Sequence, residues 1–212
     1  VEGWDVSYRV IANDATPEIL GILKDKMIPH SIYNDSNPED YYLNRVYRAW
    51  NYGGTSTGAD NICYVNSDMV FSDGWLDALL ARHDGVNIPC SRLIESGKLP
   101  SGMHAKEVNF GRSPSDMDHQ AWCLYAEDNK QPRKTMLRGL FQPVVFESGK
   151  FSSSGGYPEG NIYEDGVGTC NGRTIQSGDA YYFYRLEKEY GMKHITVFDS
   201  LVYHIQEGEK DA

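Results

Sequence analysis

A chain of 212 residues, 40% hydrophobic and 24% charged, is long enough to bury a sizeable core. Its formal net charge of −10, with no basic run to offset it, argues against a protein that tracks nucleic-acid phosphates. No stretch approaches the roughly 20 apolar residues of a membrane span. The opening Val1-Glu2-Gly3-Trp4 carries neither an initiator Met nor a signal peptide, and reads as a clipped or incomplete form of a longer protein. Cys63, Cys90, Cys123 and Cys170 lack C-x-x-C spacing and read as reduced thiols, Cys63 and Cys90 within strands of the core. The 15 tyrosines and 4 tryptophans suit packing against the face of a pyranose, without demanding it.

Residues 6–12, Val-Ser-Tyr-Arg-Val-Ile-Ala, predict a strand. Thr16-Pro17-Glu18 then opens a helix with Thr as cap and Pro at the first helical position, and Ile19, Leu20, Leu23 and Met27 form its apolar face. A weaker strand follows at 28–33. Asn37-Pro38-Glu39-Asp40 repeats the start signal for a second helix, in which Leu43, Val46, Tyr47 and Trp50 recur at helical spacing until Gly53-Gly54. Next come a buried strand at 61–66, a helix over 73–83 with Ser72 as cap, and a strand over 86–90. Alternation of this kind predicts βα units and a parallel sheet.

Periodicity fails between about residues 91 and 137, where Gly, Ser, Pro, Asp and His dominate; so long an irregular stretch is usually functional or mobile. Order returns at 140–146. Ser177-Gly178-Asp179 caps a helix carrying Tyr181, Tyr182, Phe183, Tyr184 and Leu186, and Gly191 stops it. Strands at 195–198 and 200–204 close the domain, and 205–212 reads as a polar tail.

The segment Asn61–Leu80 carries the most information. Asp68 stands just past the carboxyl end of a strand, where open α/β sheets bind ligands, and a carboxylate there can hold a divalent cation against a diphosphate. Asn66-Ser67-Asp68 followed by a Trp75-Leu76 helix resembles the Asp-x-Asp region of nucleotide-sugar glycosyltransferases with the GT-A fold, above all the large family 2 group. Phe146–Phe151, Gly155–Gly160 and Val202-Tyr203-His204 resemble later segments of the same family. The resemblance implies an α/β fold with a mostly parallel, Rossmann-like sheet flanked by helices. It also implies one domain over 1–212, with a nucleotide-binding half at 1–90 and an acceptor half at 91–212.

Roles follow from the resemblance. Asp68 and His204 are expected to hold Mg²⁺ or Mn²⁺, and Asn66, in place of the family's first Asp, to hydrogen-bond a ribose without adding charge. Asp179 is expected to be the base that deprotonates the acceptor; a helix start favours its anionic form and limits its basicity. Asp165, with no clear helix after it, is the competing candidate. Asn13 and Asp14 are placed near the nucleoside. Glu95, Trp122, Tyr157 and Glu159 are weaker candidates for the acceptor side, core packing being the alternative for the two rings. Residues 6–12 serve either as the family's second strand, with the first βα unit absent, or as its first. Asp68, His204 and Asp179 are expected at one sheet edge.

The function so implied is transfer of a sugar from a nucleoside-diphosphate donor to a hydroxyl acceptor, metal-dependent and inverting. The partners are then a nucleotide sugar and a saccharide or other hydroxyl compound, with no nucleic acid. The expected location is the cytoplasm, with the acceptor as the one tie to a membrane surface. Two alternatives stand beside it. One is a non-catalytic carbohydrate- or nucleotide-binding domain on the same scaffold, which Asn66 favours. The other is a nucleotidyltransferase, whose usual Gly-rich basic loop is not visible.

Overall fold

A computed structural model of the chain describes residues 3–97 and 102–205; most of the expected polar tail, from residue 206 on, lies outside them. In chain order the first elements are β1 (Val10–Asn13), α1 (Pro17–Asp25), β2 (His30–Tyr33), α2 (Tyr42–Thr55), β3 (Asn61–Tyr64), β4 (Met69–Phe71) and α3 (Trp75–Leu80). Then come β5 (Asn87–Glu95), β6 (Lys106–Glu107), α4 (His119–Asn129), β7 (Thr135–Leu137), β8 (Val144–Glu147) and α5 (Ser148–Ser153). The chain closes with β9 (Ile162–Tyr163), β10 (Gly166–Val167), β11 (Thr174–Gln176), α6 (Gly178–Tyr190) and β12 (Lys193–His204). The fold is α/β, as the alternation of elements predicts. Its residues divide into two compact units, one built on Asn61–Phe146 and the chain from Tyr190 onward, the other on Gly3–Asp60 and Glu147–Glu189.

The first unit holds a seven-stranded sheet of order β3-β8-β5-β12-β4, with β6 on β5 and β7 on β12. β5 runs parallel to β12 and to β6, while β4 and β7 run antiparallel to β12 and β8 antiparallel to β5, so the sheet is mixed around a parallel centre. Apolar side chains cover both faces. On one, Leu79 and Leu80 of α3 meet Val145, Ile195 and Val197, and Met69, Leu93 and Val202 continue the layer. On the other, Trp122 and Ala126 of α4 pack against Ile94, Leu201 and Tyr203.

One irregularity decides which side chains share a face. β12 pairs Val197 with Ser91 but Leu201 with Arg92, so residues 198–200 are extra on its side of the ladder. An odd insertion flips the alternation of side chains beyond it. The insertion is well held: Ser91 Oγ and Ser200 Oγ lie 2.7 Å apart in the interior, and Phe198 lies between Arg92, 4.8 Å from its ring centre, and Lys134, at 4.4 Å.

In the second unit β1 pairs in parallel with β2 across the crossover helix α1, so the chain begins with a complete βαβ unit. The strand expected over 6–12 is observed at Val10–Asn13, and among the described residues it pairs with β2 alone. Helix α1 starts as expected: Thr16 Oγ1 accepts from the Ile19 amide at 3.4 Å and Pro17 opens the first turn. Helix α2 starts later than the Asn37-Pro38 signal implied, with Tyr41 at its cap position and no side-chain cap. Its inner face joins Tyr47 and Trp50 to Tyr157, and Tyr157 in turn meets Phe151 and Tyr182. A small antiparallel sheet of order β10-β9-β11 precedes α6, which Gly191 ends at φ +65°.

His194, at the start of β12, is 8% exposed; its Nε2 lies 3.1 Å from the Leu140 carbonyl oxygen and its ring stacks on Phe141. Burial pushes its pKa down to about 4. A depressed histidine means that the unfolded chain binds the extra proton first. Its contribution to stability is therefore complete above about pH 6.5 and is lost as pH falls toward about 4, by up to ~3 kcal/mol. We expect the urea midpoint of the wild-type chain to fall between pH 7 and pH 4.5 by more than that of His194→Gln. Equal falls would separate this histidine from the acid sensitivity.

Candidate functional site

Three side chains from distant parts of the chain meet at one edge of the larger sheet. β5 and β12 are parallel and end together, pairing Glu95 with His204; antiparallel β4 begins there and pairs Met69 with the same His204. Asp68, in the turn just before β4, has its carbonyl oxygen fixed by the Ile205 amide at 3.0 Å. The imidazole lies between two carboxylates, with Nε2 at 3.1 Å from Asp68 Oδ2 and Nδ1 at 3.3 Å from Glu95 Oε1. Glu95 and His204 are buried, at 5% and 8% exposure, while Asp68 is half-buried. Burial works to raise the Asp68 carboxyl, but the hydrogen bond and charge of His204 outweigh it and hold Asp68 below the ordinary carboxylate range.

The spacing bears on a metal ion. Two neighbouring ligands of an octahedral ion at ~2.1 Å stand ~3 Å apart, close to the Asp68–His204 separation. Glu95 cannot join them, because it meets the other ring nitrogen and the two nitrogens of an imidazole face diverging directions. Accordingly, no group of three His, Cys, Asp or Glu able to hold a metal occurs among the described residues. The donor set thus fits an ion bound by one carboxylate oxygen and one imidazole nitrogen, with water or phosphate oxygens filling its remaining positions. Asn66 is half-buried in the loop between β3 and β4, two residues before Asp68.

The second unit has its own polar cluster past the carboxyl ends of β1 and β2. Asp14, at φ +47°, accepts from the Asp35 amide at 2.8 Å through Oδ1 and pairs with Arg45 at 3.0 Å through Oδ2. Asp35, its side chain fully buried, accepts two hydrogen bonds from Arg48 at 2.8 and 2.9 Å, and this pairing holds its carboxyl low. Arg48 also reaches Asp40 at 3.0 Å and Glu159 at 3.8 Å. Asn13 Oδ1 and Arg45 Nε are buried without a hydrogen-bond partner among the described residues. Asp35 and Arg48 were not singled out in the sequence, although the acid two residues past β2 repeats the Asp68 pattern.

Asp179 also lies in the second unit, in the first turn of α6. Its amide donates to Tyr47 Oη at 3.1 Å and its Oδ1 accepts from the Ala180 amide at 2.7 Å. Gly178 before it has room for no side chain: a Cβ would stand 2.4 Å from the Gly160 carbonyl oxygen and 2.9 Å from the Tyr47 ring. Burial raises the Asp179 carboxyl above its ordinary range despite hydrogen bonds from Ser177 and Ala180. The basicity limit expected from the helix start is therefore overcome by desolvation. Asp165, in the β9–β10 turn, is exposed and accepts from Thr169 Oγ1 at 2.5 Å.

The remaining candidates are scattered. Trp122 is fully buried among Phe110, Tyr125 and Tyr203, and Tyr157 is 2% exposed among Tyr47, Trp50 and Tyr182. Both rings are core residues, their faces packed by protein and not open to a pyranose. Glu95 is likewise engaged with His204, while Glu159 is exposed.

A fully buried carboxylate with one bidentate partner has a measurable signature. Arg48→Ala should destabilise the chain by about 3–5 kcal/mol in urea unfolding, and adding Asp35→Leu should recover part of it. A loss below ~1 kcal/mol would mean that solvent reaches Asp35 once the guanidinium is gone.

No family profile and no curated protein matches this sequence. Solved structures do match its fold. A crystal structure of GalNAc-T7 with UDP, GalNAc and Mn²⁺ superposes over 92% of this chain with a TM-score of 0.53 at 12% sequence identity. The chain spans 37% of the length of that protein. At that identity the likeness establishes a GT-A-like fold; membership of family 2 does not follow from it.

Proposed function

We propose that this chain is the nucleotide-sugar domain of a glycosyltransferase that moves a sugar from a nucleoside diphosphate to a hydroxyl acceptor. The observation that carries this reading is the meeting of Asp68 and His204, 136 positions apart, at 3.1 Å on the sheet edge of a GT-A-like fold. The pair would hold Mg²⁺ or Mn²⁺, which when bound supplies positive charge opposite the leaving diphosphate. The solved relative with UDP and Mn²⁺ supports the same ligand class. Asn66 is assigned to the ribose. Asn13, Asp14 and Arg45 are assigned to the nucleoside, because Asn13 Oδ1 and Arg45 Nε are a buried acceptor and donor that a base or ribose would satisfy.

Asp179 is assigned the acceptor proton. As the acceptor oxygen bonds to the anomeric carbon, the bond from that carbon to the diphosphate oxygen breaks and its electron pair leaves with the diphosphate. The hydroxyl proton passes to the Asp179 carboxylate, and attack opposite the leaving group inverts the centre. A carboxyl raised by burial is a better base than a solvated one, so long as it remains ionised at working pH.

A second reading has specific support. Asn66 adds no charge, and the described residues offer two metal ligands only, which also suits a domain that binds a nucleotide sugar without turning it over. Calorimetric titration with UDP- and GDP-sugars, with and without Mn²⁺, followed by assays of donor hydrolysis and transfer, separates the two. Transfer is expected, and Mn²⁺-dependent binding with no turnover toward any acceptor would favour the binding domain. In the active protein Asp179→Asn should lower transfer about 100-fold or more while nucleotide affinity stays within twofold. Undiminished turnover removes Asp179 as the base.

A further inference from the structure

We propose that Glu95 is a positioning residue: by accepting from His204 Nδ1–H it fixes the imidazole with Nε2 turned toward Asp68, and so prepares the two-ligand cation site. The inference rests on the metal reading above and adds a residue whose role that reading left open. It departs from the acceptor-side role that the resemblance implies for Glu95.

The geometry supplies the argument. Glu95 and His204 are directly paired across the β5–β12 ladder, so their side chains leave the same face of the sheet. Leu93 and Val202, one alternation back on each strand, share that face and are buried with Met69. Glu95 is held on its other side as well, where β6 pairs Glu107 with it and the Val108 amide donates to its carbonyl oxygen at 3.0 Å. Its backbone therefore has ladder partners on both sides and little freedom to move. The carboxylate meets Nδ1 at 3.3 Å with both residues buried.

A neutral imidazole carries one proton, and the nitrogen that carries it cannot ligate a metal. A carboxylate at Nδ1 holds the proton there, leaves the lone pair on Nε2, and raises the donor strength of that nitrogen. Nε2 is the nitrogen 3.1 Å from Asp68 Oδ2. Without Glu95 the ring could carry its proton on either nitrogen and rotate about its side-chain torsions. One site would then become two or more poorly matched arrangements. Glu95 thus acts through His204 and need touch neither ion nor substrate.

The test uses the whole chain with Mn²⁺ and UDP as probes, reading bound Mn²⁺ from the loss of the free-ion electron paramagnetic resonance signal. The wild-type chain should bind one Mn²⁺, and Asp68→Asn or His204→Ala should abolish that binding. Glu95→Ala should weaken it about 10- to 100-fold, and Glu95→Gln, whose amide oxygen can still accept from Nδ1–H, should restore most of it. Unchanged affinity in Glu95→Ala overturns the proposal. Absence of Mn²⁺ binding by the wild type overturns the metal reading and the proposal with it. If Glu95→Ala fails to fold, nitrogen-15 spectra of the His204 ring in the wild type with Mg²⁺ decide. A proton on Nδ1 supports the assignment, and a proton on Nε2 sinks it.

Discussion

The candidate site depends on a single register. Continued without interruption from the Val197–Ser91 pair, β12 would set Leu201 against Glu95. The extra residues 198–200 bring His204 there instead and reverse the alternation, so that an imidazole, and not an aliphatic side chain, stands between Glu95 and Asp68. The same reversal turns Leu201 and Tyr203 toward α4, where they bury against Trp122. Core packing on one face and polar geometry on the other therefore fix the same alignment. A slip of one residue would expose Tyr203 and bury His204 among aromatic rings, at a cost in both hydrophobic burial and polar desolvation.

Much of this arrangement was legible in the sequence because local signals agreed with the fold. Thr16-Pro17 and Gly191 marked helix ends that the structure keeps, and the alternation of apolar runs with helical stretches indicated the α/β class. What escaped was non-local. β4 is three residues long and looks like a loop between a strand and a helix; only its pairing with β12 makes it a strand. Yet β4 is the element that carries Asp68 to His204. β5 was expected to end at Cys90 but runs on to Glu95, because Ser91 and Arg92, polar by type, find partners in Ser200 Oγ and the His104 carbonyl. Helix α4 lay hidden in the seemingly irregular stretch. Its buried residues are Trp122 and Ala126, while Cys123 and Leu124 face solvent, so its apolar stripe is blurred.

The second unit illustrates how environment outweighs position. A carboxylate in the first turn of a helix gains from the exposed amides and should ionise readily. Asp179 receives a hydrogen bond from the Ala180 amide and is nonetheless raised, because the close approach of Gly178 to Gly160 and Tyr47 buries the start of α6. Asp35, its side chain closed to solvent, goes the other way, because Arg48 supplies two charge-assisted hydrogen bonds. Two buried acids in one unit thus differ in basicity through the presence or absence of a guanidinium partner. Such a difference leaves Asp35 to structural pairing, and the raised carboxyl of Asp179 is the property on which its proposed role as base rests.

The Asp68–His204 contact has a further consequence for the proposed ion. His204 Nε2 and Asp68 Oδ2, 3.1 Å apart, already stand about as far apart as two neighbouring ligands of an octahedral ion. Binding a cation there would then need little movement of either side chain. The strain that metal binding imposes on unprepared ligands would then be small. A site of this kind takes up its ion more tightly as protons become scarcer. With two protein ligands its affinity for the bare cation is modest. The diphosphate oxygens of a donor would complete the shell, so cation and nucleotide would each strengthen the binding of the other.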